Sequence, residues 1–164
     1  MLNNFKFTKY GKFMFNLCHD GAMFLAKHRW LYYILACTWG ILLTLPGIII
    51  TLVLLIIGKK PKKYGGIYYF QIGKYWGGFE MGLMFVRDTT SWDSVNSHEL
   101  GHSYQNAILG PFMPFLVSIP SAIRYWYRQY TKKALPAYDA IWFEGNATFV
   151  GEKIISNYFL PSNT

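Results

Sequence analysis

The sequence is poor in charged residues and in cysteine. Asp, Glu, Lys and Arg make up 15% of its 164 residues, whereas a soluble domain carries about 25%. Two cysteines, Cys18 and Cys37, exclude a disulfide framework, and neither has the spacing of a cysteine metal site. Apolar residues instead reach 52% and aromatic residues 20%. This composition predicts a membrane protein of one domain with a small water-facing part.

Acidic residues are scarce as well, since eight Asp and Glu against sixteen Lys and Arg give a net charge of +8. Lys27 and Arg29 directly precede a long apolar run, and four lysines at 59–63 directly follow it. Charges at such positions are typical of contacts with anionic lipid headgroups. The sequence has no separate basic stripe with interleaved aromatic residues, so we expect no nucleic acid as a partner. We predict an integral membrane protein with lipid as a partner, in the inner or plasma membrane if bacterial.

The first 58 residues divide into two segments. Residues 1–29 alternate lysines with aromatic side chains, which predicts an interfacial segment; a loosely ordered basic tail is the alternative. Residues 30–58 contain no charged residue and exceed the roughly 20 apolar residues of one crossing, so we predict a transmembrane anchor. Pro46 lies near its middle, so a single kinked crossing and a tight hairpin both fit. We favour the single crossing because each half alone is short.

The remaining residues, 59–164, are predicted to form a metal-binding domain of the α+β class that is mostly helical. Residues 66–87 are rich in β-branched and aromatic residues with intervening glycines, which predicts a β-hairpin with its turn near Gly73-Lys74. Residues 107–123 are uncharged but contain three prolines. We therefore expect a membrane-associated segment there rather than a regular spanning helix.

Two helices are expected in this domain. The first runs from about residue 92 to residue 109, where Gly110 and a proline end it, and its N-cap candidates are Thr90 and Ser91. The second begins after Pro136 and extends to about residue 157.

The string HELGHSYQ at residues 98–105 carries the chemistry. On a helix, residues four apart lie one above the other, so His98 and His102 converge on one ion. Glu99 projects beside them and can reach a metal-bound water without being a ligand. Zinc acidifies that water and polarises a scissile carbonyl, while the carboxylate accepts the proton. The motif predicts Zn²⁺ as cofactor and Glu99 as catalytic base.

A catalytic zinc requires a third protein ligand. Glu144 stands in the middle of the predicted last helix among aromatic residues, where a buried carboxylate is costly unless it is paired or binds a metal. We rank it ahead of Asp139, which is near the start of that helix, and Glu152, which suits a solvated surface. A salt bridge from Glu144 to Arg124 or Arg128 is the structural alternative.

The motif at 98–102 followed by Glu144-x-x-Ala147 resembles the gluzincin branch of the zinc metallopeptidases. The resemblance implies a zincin-like core with His98, His102 and Glu144 as zinc ligands and Glu99 as base. Thr148 stands where that pattern often has an Asp that orients a ligand histidine.

A fuller pattern is similar to a group of small, largely uncharacterised bacterial membrane proteins of zincin type. It covers roughly residues 66–152 and consists of HExGHxxQ at 98–105, Leu-Gly-Pro at 109–111 and Pro-Ser at 120–121. In zincins, a strand edge beside the first metal helix aligns extended peptide, and 78–86 is placed to be that strand. Tyr104 or Tyr138 could donate to a developing oxyanion, although packing is the more common role of a tyrosine.

The function predicted from these features is that of a membrane-anchored zinc metallopeptidase acting on a peptide or protein substrate. A first alternative is a non-catalytic membrane protein whose zinc site is structural or vestigial, and a fourth protein ligand would favour it. A second is an intramembrane protease of the site-two type, whose third ligand is an Asp in a later Asp-Gly pair. Against it, Asp20-Gly21 precedes the motif, and residues 88–93 are polar for bilayer depth.

Overall fold

A computed structural model describes residues 7–131 and 136–160 of the chain. The first six residues of the predicted interfacial segment, and 132–135 and 161–164 of the predicted metal-binding domain, lie outside the described residues. The fold is α+β and mostly helical with a small mixed sheet, which confirms the predicted class at that level. The helices are α1 (Lys9–Lys27), α2 (Arg29–Cys37), α3 (Ile41–Ile56), α4 (Ser94–Leu109), α5 (Ile119–Tyr130) and α6 (Trp142–Tyr158). The strands are β1 (Lys62–Tyr64), β2 (Ile67–Gln71), β3 (Gly78–Met81) and β4 (Met84–Arg87).

The main core lies where α4 packs between α1, α2 and α6. Small and branched apolar side chains from these helices meet there with one face of β2 and β4. Its fully buried members include Ala22, Ala36, Phe85, Leu100, Val150 and Ile154. The two predicted helices of the metal-binding domain thus exist with nearly the expected bounds, and they form the centre of the molecule.

The predicted anchor 30–58 is divided between α2 and α3, which meet at an angle of 88°. The break lies at residues 38–40 rather than at Pro46, which is inside α3. Asn106 of α4 explains the position of the break, because its side-chain amide donates to the Gly40 carbonyl at 3.3 Å. A Cβ at residue 40 would lie only 2.7 Å from that amide nitrogen.

A second bend of 115° separates α4 and its extension to Phe112 from Pro114–Tyr130. Gly110 ends α4 as predicted, with a φ of 55° that disfavours other residues. A 3-10 turn, Gly110–Phe112, and a π-helical segment, Pro114–Ser118, then lead into α5. Among the described helices, none is by itself long and apolar enough to cross a bilayer, and the two bent pairs meet that test by length and composition.

The sheet has the order β1-β2-β4-β3. The predicted hairpin with a turn near Gly73-Lys74 is wrong, because β2 pairs in parallel with β4 and not with β3. The observed hairpins are β1–β2 and β3–β4, and Gly82 closes the second of them with a φ of 73°. β1 and β3 are consequently the two edge strands of the described sheet, and β3 lies beside α4.

Asp88 explains why the chain does not turn back at 73–74. Its buried carboxylate accepts from the backbone N–H of Trp76 at 2.8 Å and of Gly77 at 2.7 Å, which fixes the loop between β2 and β3. It also accepts from the N–H of Thr90 and Ser91 at 2.7 and 2.5 Å. Burial opposes ionisation, yet these donors hold the pKa of Asp88 well below its usual range. The predicted capping role of Thr90 and Ser91 is wrong, since α4 begins after Asp93 without a side-chain cap.

Candidate metal centre

α4 and α6 approach so closely that their backbones touch. A Cβ at Gly101 would overlap the carbonyl oxygen of Ala147, and a Cβ at Gly151 would overlap that of Ser97. The glycine within the HELGH string therefore allows α6 to lie against α4. This contact places the side chain at position 144 beside the two histidines of the motif.

His98, His102 and Glu144 form a compact cluster. The two Nε2 atoms are 3.1 Å apart, and Glu144 Oε2 lies 3.1 Å from His98 Nε2 and 3.3 Å from His102 Nε2. Glu144 and His102 are buried, and His98 is largely buried. The structure thus brings together the three predicted ligands, and this group could hold a metal ion.

The ring of His102 is oriented by Gln105, one turn further along α4. Gln105 Nε2 donates to the carbonyl oxygen of Phe143 and to Asn146 Oδ1, both at 2.8 Å. These two bonds turn Gln105 Oε1 toward His102 Nδ1, which lies 2.8 Å away. His102 must therefore donate from Nδ1, so Nε2 faces the cluster and, in the neutral ring, carries the lone pair.

The ring of His98 is oriented by Thr148, whose Oγ1 lies 2.9 Å from His98 Nδ1. The same hydroxyl donates to Asp139 Oδ1 at 3.2 Å, so it can only accept from the imidazole. The carboxylate expected at position 148 is therefore supplied by Asp139 through the hydroxyl of Thr148. His98 Nε2 is then a second bare lone pair, facing that of His102.

The electrostatics of the cluster reflect this convergence. Burial favours the neutral form of Glu144, but hydrogen bonds to His102 and His98 outweigh burial and hold its pKa well below the usual range. Burial likewise opposes protonation of His102, yet the bond to Glu144 raises the pKa of this imidazole to about 9. In the absence of a metal, a proton thus compensates for the facing lone pairs and the carboxylate.

The geometry fits a tetrahedral metal. Zinc binds His nitrogen at about 2.0–2.1 Å and carboxylate oxygen at about 2.0–2.2 Å, which places two ligand atoms about 3.3 Å apart. The three separations in the cluster, 3.1, 3.1 and 3.3 Å, agree with that value. Glu144 Oε1 is buried without a hydrogen-bond partner, as expected of a carboxylate placed for an ion. Within the described ranges, no fourth His, Cys, Asp or Glu joins the group.

Glu99 lies at the junction of two cavities beside the cluster. One of about 240 Å³ is lined by β3 and α5, and the other, of about 470 Å³, extends past the start of α4. Both include Glu99, His98 and Gly78 of the edge strand. Burial raises the pKa of Glu99, and the neighbouring histidines counteract part of this rise. A carboxylate whose affinity for a proton is raised in this way, beside the cluster, is suited to act as a general base.

The two tyrosines considered from the sequence occupy different environments. Tyr138 lines both cavities, its ring 6.0 Å from that of His98, and burial raises its pKa. Tyr104 is buried in the core and stacks on Tyr32 at 4.3 Å. Tyr138 is thus the hydroxyl that could reach a bound molecule.

The residues considered as salt-bridge partners of Glu144, or as third ligands in its place, make other contacts. Arg124 and Arg128 donate to backbone carbonyls of residues 136–138. Glu152 is exposed, and Asp139 supports Thr148. Asp20, of the Asp-Gly pair weighed for a site-two protease, is on α1 and contacts His19.

Sequence reasoning did not assign roles to three acidic or amide side chains at the site. Gln105 could have been found from its i+3 spacing to His102, which places both on one helix face. The sequence offers Asp139 only as a ligand candidate, and its actual contact with Thr148 depends on the turn Tyr138–Ala140. Glu80 on β3 lines the smaller cavity, and burial raises its pKa to about 8. Its relation to the site follows from the strand pairing, which no local pattern indicated.

Comparisons of the chain with protein-family models, with curated proteins and with solved structures find no match.

Proposed function

We propose that the protein is a zinc-dependent hydrolase that cleaves peptide bonds. The observation that carries the proposal is the pair of imidazole lone pairs that face each other and Glu144 Oε2 within 3.1–3.3 Å. Hydrogen bonds to Gln105 and Thr148 hold both rings in this orientation. Such an arrangement is unfavourable unless a proton or a metal ion lies between the three atoms, and two imidazoles with one carboxylate are a ligand set that zinc accepts.

The open side of the cluster supports catalysis rather than a closed structural site. Structural zinc sites are usually completed by four protein ligands, whereas catalytic sites keep one position open. Here both cavities are lined by His98 and Glu99, and Glu144 is not among the lining residues of either. A bound zinc ion would acidify a water molecule and polarise the carbonyl group of a substrate.

The chain's own residues would perform the remaining tasks. Glu99 would accept the proton of the attacking water and return it to the leaving amine. Tyr138 would donate a hydrogen bond to the developing oxyanion. The free edge of β3, from Gly78 to Glu80, would pair with the extended backbone of a peptide, which favours a peptide over a compact substrate.

The first test is the metal content of the detergent-purified protein and of four variants. About one zinc per chain is expected in the wild type, with loss in His98→Ala and strong weakening in Glu144→Ala. Glu99→Gln should retain the metal, and Glu152→Gln, exposed on α6, is the matched control. A folded wild type without metal after zinc supplementation would contradict the proposal.

The second test is peptide hydrolysis, measured by mass spectrometry on a library of unstructured peptides. The wild type and Glu152→Gln should produce the same cleavages, and Glu99→Gln should lose at least about 100-fold in rate. Zinc retention with equal activity in Glu99→Gln would exclude this carboxylate as the base. Zinc in every folded preparation without hydrolysis of any peptide would instead favour the non-catalytic alternative.

A further inference from the structure

The outer face of α3 is apolar and uncovered. Ten large apolar side chains between residues 41 and 57 are exposed, Ile49, Leu52 and Ile56 among them. The opposite face packs on the sheet, where Leu54 joins a buried cluster with strand residues of β2 and β4. The inner face of α3 is therefore already packed, and the exposed outer face is a separate apolar surface.

The segment from Phe112 to Tyr130 has the same two-sided character. Ser121 and Tyr125 line the cavity at the metal cluster. Seven large apolar or aromatic side chains of the segment are exposed, including Phe115, Ile123 and Trp126. α5 is thus at once a wall of the candidate active site and the carrier of an uncovered apolar face.

These two faces begin at one place. Trp39, in the bend between α2 and α3, donates from Nε1 to the carbonyl oxygen of Ile108 at 3.1 Å, and its ring lies 6.3 Å from that of Phe112. The two bends are thus in contact, and α3 and the Pro114–Tyr130 segment both extend from them. We call their exposed sides together the apolar surface.

Basic residues border the apolar surface. Residues 30–58 and 103–123 contain no charged residue, whereas Lys59, Lys60 and Lys62 follow α3 directly and are exposed. Arg124 and Arg128 also lie on α5, but they donate to the carbonyls of residues 136–138, so the complementarity to anionic headgroups rests on the lysines. With a net charge of +8, this is the pattern that complements a bilayer, with acyl chains against the apolar side chains and anionic headgroups against the lysines.

We propose that the apolar surface lies in the acyl region of an anionic phospholipid leaflet. Soluble monomers rarely expose large contiguous apolar patches, and exposed apolar side chains recur along both elements from the bends where they meet. Because α5 is both embedded and a wall of the cavity, the cleft would open at the membrane surface. Resting on the proposed function, this further implies that the substrates are polypeptides held at the membrane.

The binding test uses the full chain, exchanged from detergent into vesicles. Co-flotation with vesicles of phosphatidylglycerol and phosphatidylcholine should exceed that with phosphatidylcholine alone by at least about tenfold and should weaken as salt rises. Ile49→Asp with Leu52→Asp should reduce flotation strongly. Ser156→Asp with Asn157→Asp adds the same charge to exposed positions of α6 and is the matched control.

A second measurement guards against unfolding of the aspartate variant. In wild-type protein on vesicles, brominated acyl chains should quench tryptophan fluorescence, and Trp126→Phe should remove part of the quenched signal. Trp92→Phe, whose indole is exposed next to α4, should leave the quenched signal unchanged. Failure of flotation together with self-association in detergent-free buffer would show that a second copy covers the surface, and it would overturn the proposal. Equal quenching in Trp126→Phe and Trp92→Phe would also overturn the proposal.

The consequence for substrates is tested separately. The same cleavable peptide, free and attached to a lipid anchor, is given to the vesicle-bound wild type, and the anchored form should be cleaved at least about tenfold faster at equal bulk concentration. Faster cleavage of the free peptide would overturn the inference about substrates. If the wild type and the zinc-loaded Glu99→Gln variant both float with the vesicles, and the wild type cleaves neither peptide, the proposed hydrolase function is refuted. The proposal that the apolar surface lies in the membrane would still stand.

Discussion

Removal of the Thr148 hydroxyl should weaken metal binding about tenfold. Valine has nearly the shape of threonine, so Thr148→Val leaves the packing of α6 intact and removes the acceptor 2.9 Å from His98 Nδ1. A buried donor without its partner costs roughly 1–3 kcal/mol. His98 retains some access to solvent, with 16% of its side chain exposed, so the lower half of that range, about 1–2 kcal/mol, applies. This corresponds to a factor of roughly 5 to 30 in the dissociation constant.

The loss should appear in metal affinity rather than in the stability of the metal-free protein. Without a metal, the His98 ring can turn toward another partner, whereas a bound ion requires Nε2 to point inward. Competition with a chromogenic zinc chelator measures the difference, and Thr148→Ser, which keeps the hydroxyl, should remain within about threefold of the wild type. Equal affinity of the Val variant and the wild type would refute the orienting role of Thr148.

The same reasoning distinguishes the Thr148–Asp139 pair from the Asp that the gluzincin pattern often has. Thr148→Asp would place a second carboxylate next to Asp139, and two carboxylates at that distance repel each other. We therefore expect this variant to bind zinc more weakly than the wild type, although it restores the common residue. Adding Asp139→Asn should recover the affinity, and failure to do so would show that Asp139 has another role.

Three further predictions concern the contacts that build the site. Gly101→Ala should lower the free energy of unfolding by about 3 kcal/mol or more and abolish zinc binding, because its Cβ would overlap the Ala147 carbonyl. Chemical denaturation measures the loss of stability. Gly11→Ala is the control, since its Cβ would make only ordinary or slightly tight contacts. The pKa of His102 is raised to about 9, so the metal-free site is protonated below that pH, and zinc uptake at pH 7 should release about one proton. Calorimetry in two buffers of different protonation enthalpy measures this release, and affinity should rise with pH up to about 9; uptake without proton release would contradict the assignment. Asp88→Asn should destabilise the fold by roughly 2–4 kcal/mol in thermal unfolding, since four backbone N–H groups donate to this carboxylate; an unchanged melting temperature would show that the loop does not depend on its charge.

The helices near the metal could be predicted because their signals are local. Gly110 ends α4 through a backbone conformation that glycine favours, and the i, i+4 spacing of the two histidines needs nothing beyond the helix itself. The cost of burying a carboxylate ranks Glu144 first among the three acids, and the structure places it with the histidines.

The sheet and the break in the apolar run could not be predicted because both depend on distant residues. Strand composition indicates that a strand exists, whereas the parallel pairing of β2 with β4 depends on Asp88, which fixes the loop before β3. Pro46 was the local signal for a kink, but Asn106 places the break at residue 40 instead. Gly40 carried no signal of its own without knowledge of its neighbour in α4.

The way α4 and α6 are held together bears on whether the metal is structural or functional. Structural zinc commonly replaces a hydrophobic core in small domains, and such domains unfold when the metal is removed. Here the two helices are already joined by backbone contact at Gly101 and Gly151 and by Leu100, Val150 and Ile154, which are fully buried. A metal is therefore not needed to join them. The facing nitrogens of the two histidines need a proton or a metal ion between them. His98 borders both cavities that contain Glu99 and His102 borders one, which favours a metal used for chemistry.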